Sequence, residues 1–140
     1  MRRFNQAGFT LIELVIIIAV LGILAAVAIP KYANITSESK EAAARGALGG
    51  LRSGVTIYYA NQAVTTGTAS WPTLNQLSTA GVVMEHSIPG NPYQHPDSAA
   101  DSIVTGVTKG TTVGTRGGWA YNAATGEIWP NTTGNGENNW

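Results

Sequence analysis

The sequence predicts an α+β fold: one long N-terminal helix, membrane-spanning and then amphipathic, with a small antiparallel sheet packed on its C-terminal half. Three observations lead there. From Phe9 to Ile29, 18 of 21 residues are apolar. Beyond Arg45, the residues Leu48, Leu51, Val55 and Tyr58 or Tyr59 recur at spacings of three and four, the stripe of an amphipathic helix. Further on, Gly118–Asn122 and Glu127–Trp129 flank a four-residue segment closing on Gly126, a length and glycine position common in hairpins.

Composition narrows the function. The 140 residues suit about one domain. Eight Lys plus Arg balance eight Asp plus Glu, and only Lys109 and Arg116 are basic after Arg52. The clustered cations that displace phosphate counterions are missing, so no nucleic-acid partner is expected. The absence of Cys removes disulfides, thiolate zinc sites, a cysteine nucleophile and a lipidated cysteine anchor. From Pro30 onward 40 of 111 residues are apolar and Gly, Thr, Ser and Asn abound, enough for a small core.

The first element, Phe9–Ile29, would be about 32 Å long as a helix, against a bilayer core of about 30 Å. It can span a membrane once. Arg2 and Arg3 precede it, which places the N-terminus in the cytoplasm and the rest outside. A secretory signal peptide is one reading, with Ala26-Val27-Ala28 as its cleavage triplet before Ile29. A plain membrane anchor of a soluble domain is another. Both leave Glu13 unexplained, because an ionised group is expensive inside a bilayer and neither a disposable leader nor an inert anchor has a use for it.

A third reading takes Gly8-Phe9-Thr10-Leu11-Ile12-Glu13 as a unit. With its short basic leader, Met1 to Gly8, and a glutamate at the fifth residue of the following apolar helix, the chain resembles the type IV prepilins and the type II secretion pseudopilins. Gly22, Pro30 and Tyr32 extend the likeness over about the first 32 residues. The resemblance implies cleavage between Gly8 and Phe9 by a prepilin peptidase and N-methylation at Phe9. It also implies polymerisation with copies of itself, through an inner-membrane assembly platform and its ATPase.

Glu13 then acquires a purpose. In a filament the mature amino group of one subunit lies among apolar helices, and a neighbour's Glu13 can supply its counter-charge, so the contact acts as a register check. Pro30 removes a helical hydrogen bond and crowds the preceding turn, so it should either kink the helix where it leaves the membrane or, with Gly22, mark Gly22 to Pro30 as a stretch of local unwinding.

The following segment, 31–63, continues the helix to about Ala63, a rod of 55 residues and about 82 Å. Gly46, Gly49, Gly50 and Gly54 each weaken it by about 1 kcal/mol relative to Ala, so they need close packing or mark a break. The head, 64–130, begins with a Thr- and Gly-rich loop. A short helix with Leu74 and Leu77 buried follows, then a run of turn formers around Gly90-Asn91-Pro92-Tyr93, similar to a stretch in pilin-like heads. Ser102 to Val107 reads as a strand with Thr111 to Val113 as a possible short continuation, before the hairpin. Trp119 and Tyr121 share a strand face and should pack on the helix with Ile128 or Trp129. The tail, 131–140, reads as mobile. Asn34 and Asn131 open glycosylation tripeptides.

Many pilins close the head with a disulfide, which this chain cannot form, so Trp119, Tyr121 and Trp129 or filament neighbours must hold it. Calcium, which stabilises that region in major pseudopilins, has only Asp97 and Asp101 as weak candidate ligands, and six to eight oxygens are wanted. No cofactor is expected. No enzyme is expected either, because Glu85, His86, His95, Asp97 and Asp101 lie in no catalytic spacing. The sequence therefore predicts a structural subunit of a type IV pilus-like filament, in the inner membrane before assembly and extracellular afterwards. The alternatives are a pseudopilin of a periplasmic pseudopilus and a Sec-secreted or membrane-anchored soluble domain.

Overall fold

The computed structural model describes residues 8–140; Arg2, Arg3 and the leader up to residue 7 lie outside the described residues. The chain divides into two compact units, one ending at Glu38 and one spanning Ser39–Trp140. Helix α1, Leu11–Thr66, runs through both. It ends three residues beyond the expected Ala63, after Thr65 and Thr66 turn their hydroxyls back to the carbonyls of Asn61 and Gln62.

Among the described residues, the first unit is the N-terminal part of α1 preceded by Gly8, Phe9 and Thr10. Pro30 sits inside α1, which remains helical on both sides of it and through Gly22. The expected unwinding between Gly22 and Pro30 is absent from the isolated chain.

The second unit builds a core from the apolar stripe of α1. Leu48, Leu51 and Val55 meet Leu77, Ile88, Ile103, Trp119, Tyr121 and Ile128 in one cluster. Of the four glycines in this part of α1, only Gly54 has a packing reason: a Cβ there would lie 2.4 Å from the Met84 sulfur and 3.2 Å from the Val83 carbonyl oxygen. Gly46, Gly49 and Gly50 face open space, and the helix passes through them without a break. Helix α2, Leu74–Ser78, is short but well capped. The Thr73 hydroxyl accepts from the Gln76 N–H, and the Gln76 side chain accepts in return from the Thr73 N–H.

Strands β1 (Ile103–Thr105), β2 (Trp119–Asn122) and β3 (Glu127–Pro130) form one sheet in that order. The β2–β3 hairpin is antiparallel, with Tyr121 opposite Ile128 and Ala120 opposite Trp129. Its loop closes on Gly126, whose φ of +74° only glycine adopts freely and whose bare Cα lies against the Trp71 ring. The sheet is mixed rather than purely antiparallel, because β1 runs parallel to β2, Ile103 opposite Trp119. Residues 106–118 form the long crossover that a parallel pair requires.

The expected continuation Thr111–Val113 is not a strand; it belongs to this crossover. The Asn131 carboxamide holds it, accepting from the Val113 N–H at 2.6 Å and donating to the Val113 carbonyl at 3.0 Å, as a strand's own peptide group would.

Because side chains alternate, Tyr121 and Ile128 face the helix while Trp129 points to the other side of the sheet, over Gly106 and Ala120. Each buried aromatic finds a polar partner. The Trp119 indole donates to the Pro89 carbonyl at 2.7 Å, the Trp129 indole to Thr111 at 2.8 Å, and the Tyr121 hydroxyl to Pro72 at 2.8 Å. Burial, reinforced by nearby Tyr58, pushes the Tyr121 phenol up to about 12, so it keeps the proton it donates.

The C-terminal segment, expected to be mobile, folds back onto the head. Asn131, Glu137 and Asn138 are buried. The Arg52 guanidinium donates to the main-chain oxygens of Ile128 and Trp140, Arg45 lies 4.0 Å above the Trp140 ring, and Tyr93 meets that ring edge-on at 6.1 Å. Composition misses this because Asn side chains that look like loop filler supply the main-chain bonds.

Candidate processing and assembly segment

Gly8, Phe9 and Thr10 are exposed and not helical. The helix begins immediately after them with a reciprocal cap. The Thr10 hydroxyl accepts from the Glu13 N–H at 3.3 Å, while the Glu13 carboxylate accepts from the Thr10 N–H and hydroxyl at 2.8 Å each. The first helical bond runs from the Leu14 N–H to the Thr10 carbonyl. Thr10-x-x-Glu13 is a capping box before an apolar run, a sequence signature that the counter-charge reading of Glu13 passes over. A carboxylate in the first turn is also favoured by the positive end of the helix.

Beyond the cap the segment is apolar on every side. Phe9 is 85% exposed, Leu11 80%, Ile23 69% and Ile29 68%, so none of the described residues covers them. Among the described residues this is the one helix long and apolar enough to cross a membrane. Gly22 has no atom within 4 Å of where a Cβ would stand, and Pro30 is exposed, so no packing among the described residues explains either.

The remaining sequence-predicted groups are scattered. Asp97 lies in a 3-10 turn, exposed, 3.5 Å from the His95 ring. Asp101 is also exposed, and the described residues contain no cluster of three or more His, Asp or Glu able to hold a metal. Of the two glycosylation tripeptides, Asn34 is exposed on α1, whereas the Asn131 amide is buried and donates to Val113, Arg116 and Gly117.

The prokaryotic N-terminal methylation motif matches residues 3–29, the stretch that carries the cap and the apolar run. Over 108 residues, 77% of this chain, the sequence is 39% identical to the type IV major pilin protein PilE of Neisseria gonorrhoeae. The N-terminal segment thus carries the prepilin methylation motif, and the chain as a whole is similar to type IV major pilins. It is also 42% identical over 77 residues to the fimbrial protein EcpC of Eikenella corrodens and 39% identical over 77 residues to the type IV major fimbrial protein FimA of Dichelobacter nodosus. A match covering 108 residues of the chain reaches past the motif and past the end of α1 at Thr66, so the head shares in it. The chain spans 59% of the length of PilE, 45% of EcpC and 49% of FimA. No solved structure matches it.

Proposed function

We propose that this chain is a structural subunit of a type IV pilus-like filament. A prepilin peptidase cuts between Gly8 and Phe9 and methylates the new terminus. The subunit waits as a single-pass protein of the inner membrane and then polymerises through the first half of α1 into an extracellular fibre. The observation that carries this reading is the all-round exposure of an apolar helix with Glu13 as its one charge. Such a surface needs a bilayer before assembly and other helices after it.

The position of the cap gives Glu13 a second use. Its carboxylate already accepts from the Thr10 amide, one residue from the scissile Gly8–Phe9 bond. Cleavage creates a positive amino group at Phe9 beside this acceptor, so the neighbour's terminus competes with the helix's own cap. Exchange of one for the other holds subunits in register only after processing. Gly22 and Pro30 make the intervening helix the easiest part to loosen when helices crowd together.

Intact mass and N-terminal sequencing of the protein from its own cells test the processing. A methylated Phe9 terminus is expected; a start at Ile29 would overturn the filament reading in favour of an ordinary secreted protein. Immunogold microscopy of intact cells tests the destination. Labelled long external fibres are expected, and label confined to the periplasm would assign the chain to a pseudopilus.

A further inference from the structure

Asn135-Gly136 is the one Asn-Gly pair in the sequence. It lies in the loop that captures Glu137: the Gly134 and Asn135 N–H groups donate to the two oxygens of that buried carboxylate at 3.1 and 2.6 Å. We propose that Asn135 is a site of spontaneous chemical modification, in which it cyclises onto Gly136 and opens to aspartate or isoaspartate, and that the product loosens the closure of the C-terminal segment.

The surroundings favour the reaction at this asparagine and disfavour it at four others of the head, while Asn75 and Asn139, also exposed, are followed by Gln76 and Trp140 rather than by glycine. The Asn91 carboxamide donates to Gly118 and Thr132, Asn131 donates to three carbonyls, Asn122 donates to Val107 and accepts from Ala124, and Asn138 donates to Gly110. Each is followed by a residue other than glycine. Asn135 is exposed, and its carboxamide bonds to none of the described residues. Gly136 has no β-carbon to crowd the approach and open space where one would be. Its N–H is engaged by one long bond of 3.3 Å, to the Thr133 carbonyl. Asparagine is among the residues that limit proteins chemically at high temperature, and this one has the least to restrain it.

The chemistry needs only water. The Gly136 amide nitrogen attacks the side-chain carbonyl carbon of Asn135, forming a C–N bond and a five-membered succinimide. The bond from that carbon to the side-chain nitrogen breaks, and ammonia leaves with the proton of the Gly136 amide. Water then adds to either ring carbonyl. Opening at the side-chain carbonyl gives aspartate; opening at the main-chain carbonyl gives isoaspartate, whose backbone runs through the former side chain. No atom is oxidised or reduced. The isoaspartate lengthens the main chain by one carbon between the Asn135 N–H and Glu137, which bond to each other in the folded loop. The aspartate adds a second negative charge beside a carboxylate already held there.

The test is to age the purified full-length protein, in detergent at mildly alkaline pH, in water enriched in heavy oxygen. Expected is the mass gain of one amide-to-acid conversion with heavy oxygen incorporated, located by peptide mapping at residue 135 and present as both isomers. Asn135→Gln keeps an amide at this exposed position but would have to close a six-membered ring, so it should not gain mass. Equal gain in that variant, gain at another asparagine, or none in the parent would overturn the assignment. Hydrogen exchange over residues 137–140 should rise in the converted fraction, and exchange identical to fresh protein would overturn the loosening.

Discussion

At the scale of single residues, two carboxylates are held by the same device for different ends. Glu13 and Glu137 each accept main-chain N–H bonds, but Glu13 does so on an exposed helix start and Glu137 in a closed loop. Glu13→Val should leave cleavage at Gly8 intact and abolish fibres, whereas Gly8→Ala should leave uncleaved precursor in the membrane. Immunoblots of precursor and mature protein, read beside electron micrographs, separate the two effects, and normal fibres from Glu13→Val would sink the counter-charge argument. For Glu137, burial raises the pKa, but the bonds from the Thr132 hydroxyl and nearby amides outweigh it, and the net shift is downward. A depressed folded-state value stabilises the head at pH above the unfolded value of 4.5 and loses that contribution as pH falls through the folded value. Acid should therefore release the C-terminal segment, seen as faster hydrogen exchange over 131–140. Glu137→Gln should already be released at neutral pH and lack the acid transition.

At the scale of elements, the closures that matter are the sheet's outer face and the folded-back C-terminal segment. Trp129 fills the face turned away from α1 and is fully buried, so Trp129→Ala should cost about 3–5 kcal/mol, measured by denaturant unfolding. Arg52→Ala removes the guanidinium that ties Ile128 to Trp140 and should cost about 2 kcal/mol, as hydrogen bonds to a charged group do. A loss indistinguishable from zero would mean that the Trp140 ring under Arg45, with the Asn131, Glu137 and Asn138 side chains, holds the segment without the guanidinium. These elements were unequally legible. The Thr73–Gln76 cap of α2 emerges only in the structure, whereas the long helix, the short α2 and the hairpin follow from periodicity, the Leu74 and Leu77 pair and a glycine at the loop end. The direction of β1 does not, because alternation at Ile103 and Thr105 sets which face is buried and says nothing of parallel or antiparallel pairing. Nor does the fold of 131–140, where the ordering comes from side-chain amides substituting for main-chain partners far along the sequence.

At the scale of the whole molecule, the two units differ in what can satisfy them. The second unit has its own core, its own sheet and, among the described residues, no buried side-chain polar atom without a partner. Among its described residues the first has no buried core, and its large apolar residues stand exposed along the helix. Thr10-x-x-Glu13 was legible as a helix start and as a charge in an apolar run, but which of these the carboxylate serves depends on neighbours that no single chain contains. This division predicts how the molecule comes apart. A fragment spanning Ser39–Trp140 should be soluble and monomeric, with dispersed amide resonances and a cooperative thermal transition. The full chain should need detergent or a bilayer, because the 18 apolar residues of Phe9–Ile29 cannot be left in water at about 25 cal/mol per Å² of apolar surface. A fragment that is molten or aggregated on its own would mean that the head depends on the first half of α1, and assembly could then not proceed by docking finished heads around a growing helical core.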